Sequence, residues 1–213
     1  MTTVFTFSLE VNNYPLIFTS TKENIVQWGD KTWTDDFLLR GACLQPFTNN
    51  LIVTDFCCVW MVPNFYPSSK DPFLTKVMLS PHLKAPNSVF FDVDCDRVRN
   101  ILLVGTNKFE IRDSHGVKLH NITMINNVII LSASMSPFSN QMALIQYNHL
   151  NHNVNIIIYN FTEKVITKNP PIPLQPPLNM NLSVCLLWIN KNTVAFFNSK
   201  LVYLVNINNR IIE

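Results

Sequence analysis

The sequence predicts an all-β chain assembled from repeated small antiparallel sheets. Three observations carry that expectation. Short runs rich in Val, Ile, Leu, Tyr and Phe alternate along the chain with clusters of Asn, Ser and Pro, the pattern of strands and turns. The links between them are mostly too short for the crossover that parallel strands need, so neighbours run antiparallel. Finally, Lys108, Asn155 and Val202 occupy matching positions 47 residues apart, and Ile111, Ile158 and Val205 keep the same offset.

Four strands at a period in the forties is the spacing of propeller blades. The physical reason is burial. One four-stranded meander cannot cover both of its faces, whereas sheets stacked around an axis cover each other. The near-continuous apolar runs IIIYNF and VAFFN suit strands covered on both sides. The chain therefore reads as a degenerate, WD40-like β-propeller, partial or open, with about four to five blades at ~45 residues each. It lacks the Gly-His and Trp-Asp marks of regular repeats. The alternative is an antiparallel β-sandwich, which strand spacing alone does not separate from a propeller.

In chain order, VFTFSL within 1–9, Tyr14–Ser20, Asn24–Trp28 and Lys31–Thr34 make one four-stranded unit. Asp36–Leu44 is a strand or a turn of helix. Leu51–Asp55 and Cys57–Val62 are dense apolar strands. Residues 63–86 form an irregular linker, opened by PNFYPSSKDP, where three prolines interrupt any period. Residues 1–62 are thus N-terminal meander blades, and 87–213 are regular blades. In the latter, SVFFD (Ser88–Asp92), Ile101–Thr106, Lys108–Arg112 and Val117–Thr123 form one blade. Val128–Ser134, Gln141–Tyr147, Val154–Phe161 and Lys164–Thr167 form the next. After the proline-rich loop Asn169–Pro177 come Ser183–Ile189, Thr193–Asn198, Leu201–Asn206 and Arg210–Ile212. The final run stops as a blade is being completed, the pattern expected of a fragment of a longer protein.

Composition bounds the function. Of 213 residues 47% are hydrophobic and 14% charged, and the formal net charge is +2. That is a globular balance with no basic footprint for nucleic acid or anionic membrane. No apolar run approaches the roughly 20 residues of a membrane-spanning helix. The first residues lack the basic and apolar regions of a signal peptide. Five scattered cysteines favour a reducing compartment and buried thiols over a disulfide framework. With only four glycines, the 27 asparagines are expected to do much of the turn work.

Candidate chemistry is sparse. Asp92, Asp94 and Asp96 follow an apolar strand, as in a phosphotransferase loop where a carboxylate attacks phosphorus. The chain lacks the parallel α/β pattern of such enzymes. A Ca²⁺ loop fails because Arg97 stands where glycine is needed and Leu103 where glutamate is needed. The plain reading is a solvated acidic turn. His149 and His152 have zinc-like spacing but no paired cysteines, and Cys57 and Cys58 point to opposite faces of a strand. Ser134 and Ser136 lack the glycines of a nucleophile elbow. Asn121, Asn160 and Asn181 open glycosylation triplets, about as many as chance supplies among so many asparagines. Pro170, Pro173 and Pro176 offer a polyproline spacing without a flanking basic residue, so a structural linker is preferred. Trp28, Trp33, Trp60 and Trp188 read as packing aromatics. No catalytic, cofactor-binding or metal residue is assigned.

Three segments carry a family resemblance: SVFFD at Ser88–Asp92, SPFSNQMALIQ at Ser136–Gln146, and VCLLWINKNTVAFFNSKLVYLVNI at Val184–Ile207. In this order they resemble the N-terminal propeller of the Bulli/Mic-type regulator of the Mon–Ccz complex, the exchange factor for the late-endosomal Rab GTPase. Class C vacuolar sorting subunits of the Vps-sixteen type are matched almost as well. The resemblance implies a non-enzymatic interaction scaffold in a trafficking complex, cytoplasmic and peripheral on late endosomes or lysosomes. Its partners would be other protein subunits, without cofactor, nucleic acid, small-molecule substrate or direct membrane insertion. The loops Pro63–Pro72 and Asn169–Pro177 are the expected contact segments. The alternatives are a phosphotransferase or phosphatase using Asp92 and Asp94, and an orphan β-sandwich accessory protein.

Overall fold

Five antiparallel sheets follow one another along the chain in this computed structural model. It describes residues 5–11, 14–20, 24–28, 31–35, 41–54, 58–65, 76–81, 90–174, 184–197, 202–209 and 211–212. The first sheet holds β1 (Phe5–Val11), β2 (Tyr14–Ser20), β3 (Asn24–Trp28) and β4 (Lys31–Asp35). The second holds β5 (Gly41–Leu44), β6 (Leu51–Thr54), β7 (Cys58–Val62) and β8 (Val77–Pro81). The third holds β9 (Phe90–Cys95), β10 (Ile101–Gly105), β11 (Lys108–Arg112) and β12 (Lys118–Thr123). The fourth holds β13 (Val128–Met135), β14 (Gln141–Asn148), β15 (Asn153–Phe161) and β16 (Ile166–Lys168), with β17 (Ile172–Pro173) also on β15. The fifth holds β18 (Cys185–Asn190), β19 (Thr193–Phe197), β20 (Val202–Asn206) and β21 (Ile211–Ile212).

Each sheet is an up-and-down meander, and the sheets touch in sequence through their first strands. β1 meets β5, β5 meets β9, β9 meets β13, and β13 meets β18. The first strands therefore gather around a common axis, and the later strands fan outward. A sandwich would instead press two large sheets together. The 47-residue period is real: β11, β15 and β20 are the third strands of successive sheets.

Side-chain alternation explains why the strands are apolar throughout. In β10, Ile101 and Leu103 enter the core shared with the second sheet, whereas Leu102 and Val104 enter the core shared with the fourth. In β14, Met142 and Leu144 face the third sheet, and Ala143 and Ile145 face the fifth. In β15, Ile157 and Tyr159 lie with the former pair, while Ile156 and Ile158 lie with the latter. Successive side chains thus feed different cores.

Asparagine takes up turn work as expected. The side chains of Asn148, Asn151, Asn190 and Asn206 accept backbone N–H groups two residues ahead. Asn127 at φ 69° and Asn64 at φ 48° occupy the left-handed region.

Two expectations change. Within the anticipated irregular stretch 63–86, Val77–Pro81 forms β8 and pairs with β7. It is an outer strand with Val77 and Met78 about half exposed, so its apolar signal is short and ends at proline. The Asn169–Pro177 loop is in part a strand as well. Ile172 and Leu174 are buried in the core between the fourth and fifth sheets, and β16 and β17 share the outer side of β15. Proline is tolerated there because an outer strand need not donate on its free side. Residues 66–72 and 175–177 of the two expected contact loops lie outside the described residues, as do 36–40.

Ile156 and Ile157 are adjacent and both fully buried. In a one-sided sheet one of them would face solvent. Ile156→Ala and Ile157→Ala are each expected to lower stability by about 2–5 kcal/mol in urea denaturation.

Candidate functional site

The acidic run is strand as far as Cys95, so it is not the solvated turn expected from its charge. β9 continues through Asp92 and Asp94 because its neighbours supply donors. Asp94 Oδ2 accepts the Met135 N–H at 2.8 Å and the Ser134 hydroxyl at 3.0 Å, and Oδ1 accepts the Cys95 N–H at 2.8 Å. The turn begins at Asp96. Its carboxylate accepts from the N–H groups of Val98 and Asn100 and from the Asn100 amide, and Arg99 sits at φ 73°. Asp96 is therefore a turn-forming residue with its acceptors occupied.

Asp92 differs from Asp94. Its Oδ1 accepts the Val93 N–H at 2.9 Å, and among the described residues no side chain hydrogen-bonds to it. Its surface is partly covered, with Gly41 of β5 packed against its Cα. Burial, helped by the nearby Asp94 charge and opposed by the Val93 bond, pushes its carboxyl from 3.8 to about 7. Burial also raises Asp94, against its three hydrogen bonds. The Cys185 thiol on β18 is raised by burial and then by the Asp92 charge.

Asp94 also ties sheets together. The Ser134 hydroxyl that it holds belongs to the fourth sheet, and the Ser134 carbonyl accepts the Trp188 indole N–H from the fifth at 3.1 Å. On the other side, Cys43 Sγ of the second sheet lies 3.1 Å from Cys95 Sγ of the third. A second ionic cluster lies farther out on the third sheet. Glu110 is buried and takes Arg112 at 2.6 Å, Lys118 at 3.4 Å and Lys108 at 3.8 Å. Burial would raise its carboxyl, but the Arg112 hydrogen bond and the three cations together hold it below the usual range.

Several of the remaining candidates have structural partners. His152 Nδ1 lies 2.6 Å from the Tyr147 hydroxyl, and His149 packs edge-on to the same ring, so the pair flanks a tyrosine. Among the described residues no cluster of three potential metal ligands occurs. Ser136 is buried and accepts from the Phe138 N–H and the Ser139 hydroxyl. Asn160 bridges Gln141 and Asn169, and Asn121 is exposed on β12. Trp188 packs in a core, whereas Trp60 is half-buried beside Lys76. Cys57, Asn181, Pro176 and the side chains of Trp28 and Trp33 lie outside what is described.

Two surface features escape sequence reasoning. A cleft of about 270 Å³ opens between the β9–β10 and β13–β14 turns, lined by Arg97, Val98, Phe138 and Asn140 among others. The larger feature is the far face of the fifth sheet. Leu186, Trp188 and Val205 point into the core with the fourth sheet. Their neighbours Leu187, Ile189, Val202 and Leu204 are 51%, 48%, 67% and 41% exposed. Leu187, Ala195 and Leu204 align across the three strands, as do Cys185, Phe197 and Val202. The alternating LLWI and LVYLV patterns are the signal, but they look the same whether or not a further sheet covers them.

Solved structures of similar shape share this architecture. The chain superimposes on the β-propeller domain of Cps50 (Swd1) from Myceliophteria thermophila with a TM-score of 0.62. The fold is a WD40-like β-propeller. That match has 12% identity and covers 94% of this chain and 67% of the other. Kluyveromyces lactis Hsv2 matches with a TM-score of 0.64 at 10% identity, over 100% and 72% of the two chains. The Neurospora crassa Pan2 WD40 domain gives 0.59 at 11%, over 96% and 62%. The chain thus spans roughly two thirds of the length of these solved propellers. No protein-family model matches the sequence, and no curated protein matches it either. Among the described residues no helix is long and apolar enough to cross a membrane.

Asp92 makes stability depend on pH. Its folded pKa lies above the unfolded value, so its contribution is fully present below the unfolded pKa and is lost as pH rises through about 7. Asp92→Asn is expected to be more stable than the parent at pH 8, by on the order of 2 kcal/mol, and close to it at pH 4. Urea denaturation at the two pH values measures the difference.

Proposed function

We propose that this propeller is a non-enzymatic docking subunit of an endolysosomal trafficking complex, of the Rab exchange-factor regulator type. The exposed apolar face of the fifth sheet carries the docking role. Contiguous apolar surface of this kind marks a protein interface. Its occupant is an apolar β-sheet face presented by another subunit, because sheet against sheet is how the opposite side of the same blade is covered. The additional length of the solved propellers corresponds to about two blades at ~45 residues each. The trafficking assignment is supported by the resemblance of SVFFD, SPFSNQMALIQ and the Val184–Ile207 segment to the Mon–Ccz regulator.

Asp94 has no role in this reading beyond joining blades. Its oxygens are occupied by Cys95, Met135 and Ser134, which leaves it poorly placed to attack phosphorus. Asp92 carries only the Val93 hydrogen bond among the described residues, and burial is the main cause of its raised pKa.

The test is co-elution of the purified chain with the Mon–Ccz complex of the same organism, using the parent and a Leu187→Asp, Leu204→Asp double variant. The parent is expected to bind, and the variant to bind at least about tenfold more weakly. Circular dichroism and Tm should change little, because both positions are exposed. A parent that binds neither Mon–Ccz nor class C vacuolar sorting subunits overturns the trafficking assignment. A folded variant that binds as well as the parent overturns the proposed face.

A further inference from the structure

Five scattered cysteines gave no reason to expect a pair, yet the fold brings two together. Cys43 on β5 and Cys95 on β9 lie 52 positions apart in sequence and on different sheets, and their sulfur atoms are 3.1 Å apart. That is inside the ordinary non-bonded separation of about 3.5–4 Å between heavy atoms. The strands are held close by backbone shape. A Cβ on Gly41 would fall 2.8 Å from the Asp92 Cα, so β5 approaches β9 there more tightly than a side chain permits. Each cysteine is 7% exposed. Cys185, by contrast, is exposed and Cys58 half-buried.

We propose that Cys43 and Cys95 form a disulfide when the chain folds in the presence of a disulfide oxidant such as oxidised glutathione, stapling the second blade to the third. One protein thiolate attacks a glutathione sulfur, breaking the glutathione S–S bond and expelling one glutathione thiolate. The other protein thiolate then attacks the protein sulfur of the mixed disulfide and expels the second. Two protein thiols are oxidised, one glutathione disulfide is reduced, and the two protons released are taken up by the two glutathione thiolates. Burial, followed by the contact with Cys95, raises the Cys43 thiol well above its ordinary range. Exchange therefore begins before the two sheets are fully docked, docking brings the second sulfur onto the mixed disulfide, and the closed sheets then shield the bond from reductant. The closed loop restricts the unfolded chain, so the bond stabilises the fold.

The experiment is to refold the full chain from denaturant in a glutathione redox buffer, block free thiols, and map peptides by mass spectrometry. A Cys43–Cys95 linked peptide, two hydrogens lighter than the reduced pair, is expected. The oxidised chain should melt roughly 5–15 °C above the reduced chain. Cys185→Ser should retain both effects and Cys43→Ser should lose both. A parent that folds in the oxidising buffer with both thiols open to blocking overturns the proposal. So does a bond formed mainly to Cys58 or Cys185, or a linked chain with unchanged Tm. The peptide map is made on the parent, so it decides the matter even where Cys43→Ser fails to fold.

Discussion

A sheet that is apolar on both faces cannot stand alone in water, and most of this structure follows from that constraint. Ile156 and Ile157 are successive residues of one strand, and each belongs to a different core. No rotation of the fourth sheet would satisfy both without a neighbour on either side. The third sheet divides Ile101 and Leu102 in the same way. Blades therefore order one another, and stability is a sum over the sheets and the junctions between them.

Polar contacts near the axis give the stack its register. Apolar faces slide over one another with little penalty, whereas directional hydrogen bonds do not. Asp94 takes donors from β13, and Ser134 of β13 takes the indole of Trp188. One carboxylate and one serine thus align three consecutive sheets. Burying Asp94 opposes its ionisation, but the three hydrogen bonds offset part of that cost.

Much of the fold was legible in the sequence. The period of 47 located three third strands, and most strand limits fell within a few residues of those observed. The failures have local causes. Charge in FFDVDC suggested an early turn, because the donors that make a buried aspartate tolerable come from a strand about 40 residues later. Val77–Pro81 and Ile172–Pro173 were hidden by prolines that an outer strand accommodates. The exposed face at Leu187 and Leu204 and the Cys43–Cys95 contact were illegible for a different reason. Each depends on which sheets meet, and alternation within a strand is silent on that.

The Glu110 cluster has an electrostatic consequence. One carboxylate serves Lys108, Arg112 and Lys118, leaving a surplus of two positive charges on β11 and β12. The formal charge of the entire chain is also +2, so everything outside this cluster sums to neutrality. Asp113, in the turn that joins the two strands, offsets one of those charges, so the excess stays local to one hairpin. Three cations held on one buried carboxylate also repel one another, and dissolved salt would weaken that repulsion chiefly at the exposed Lys118.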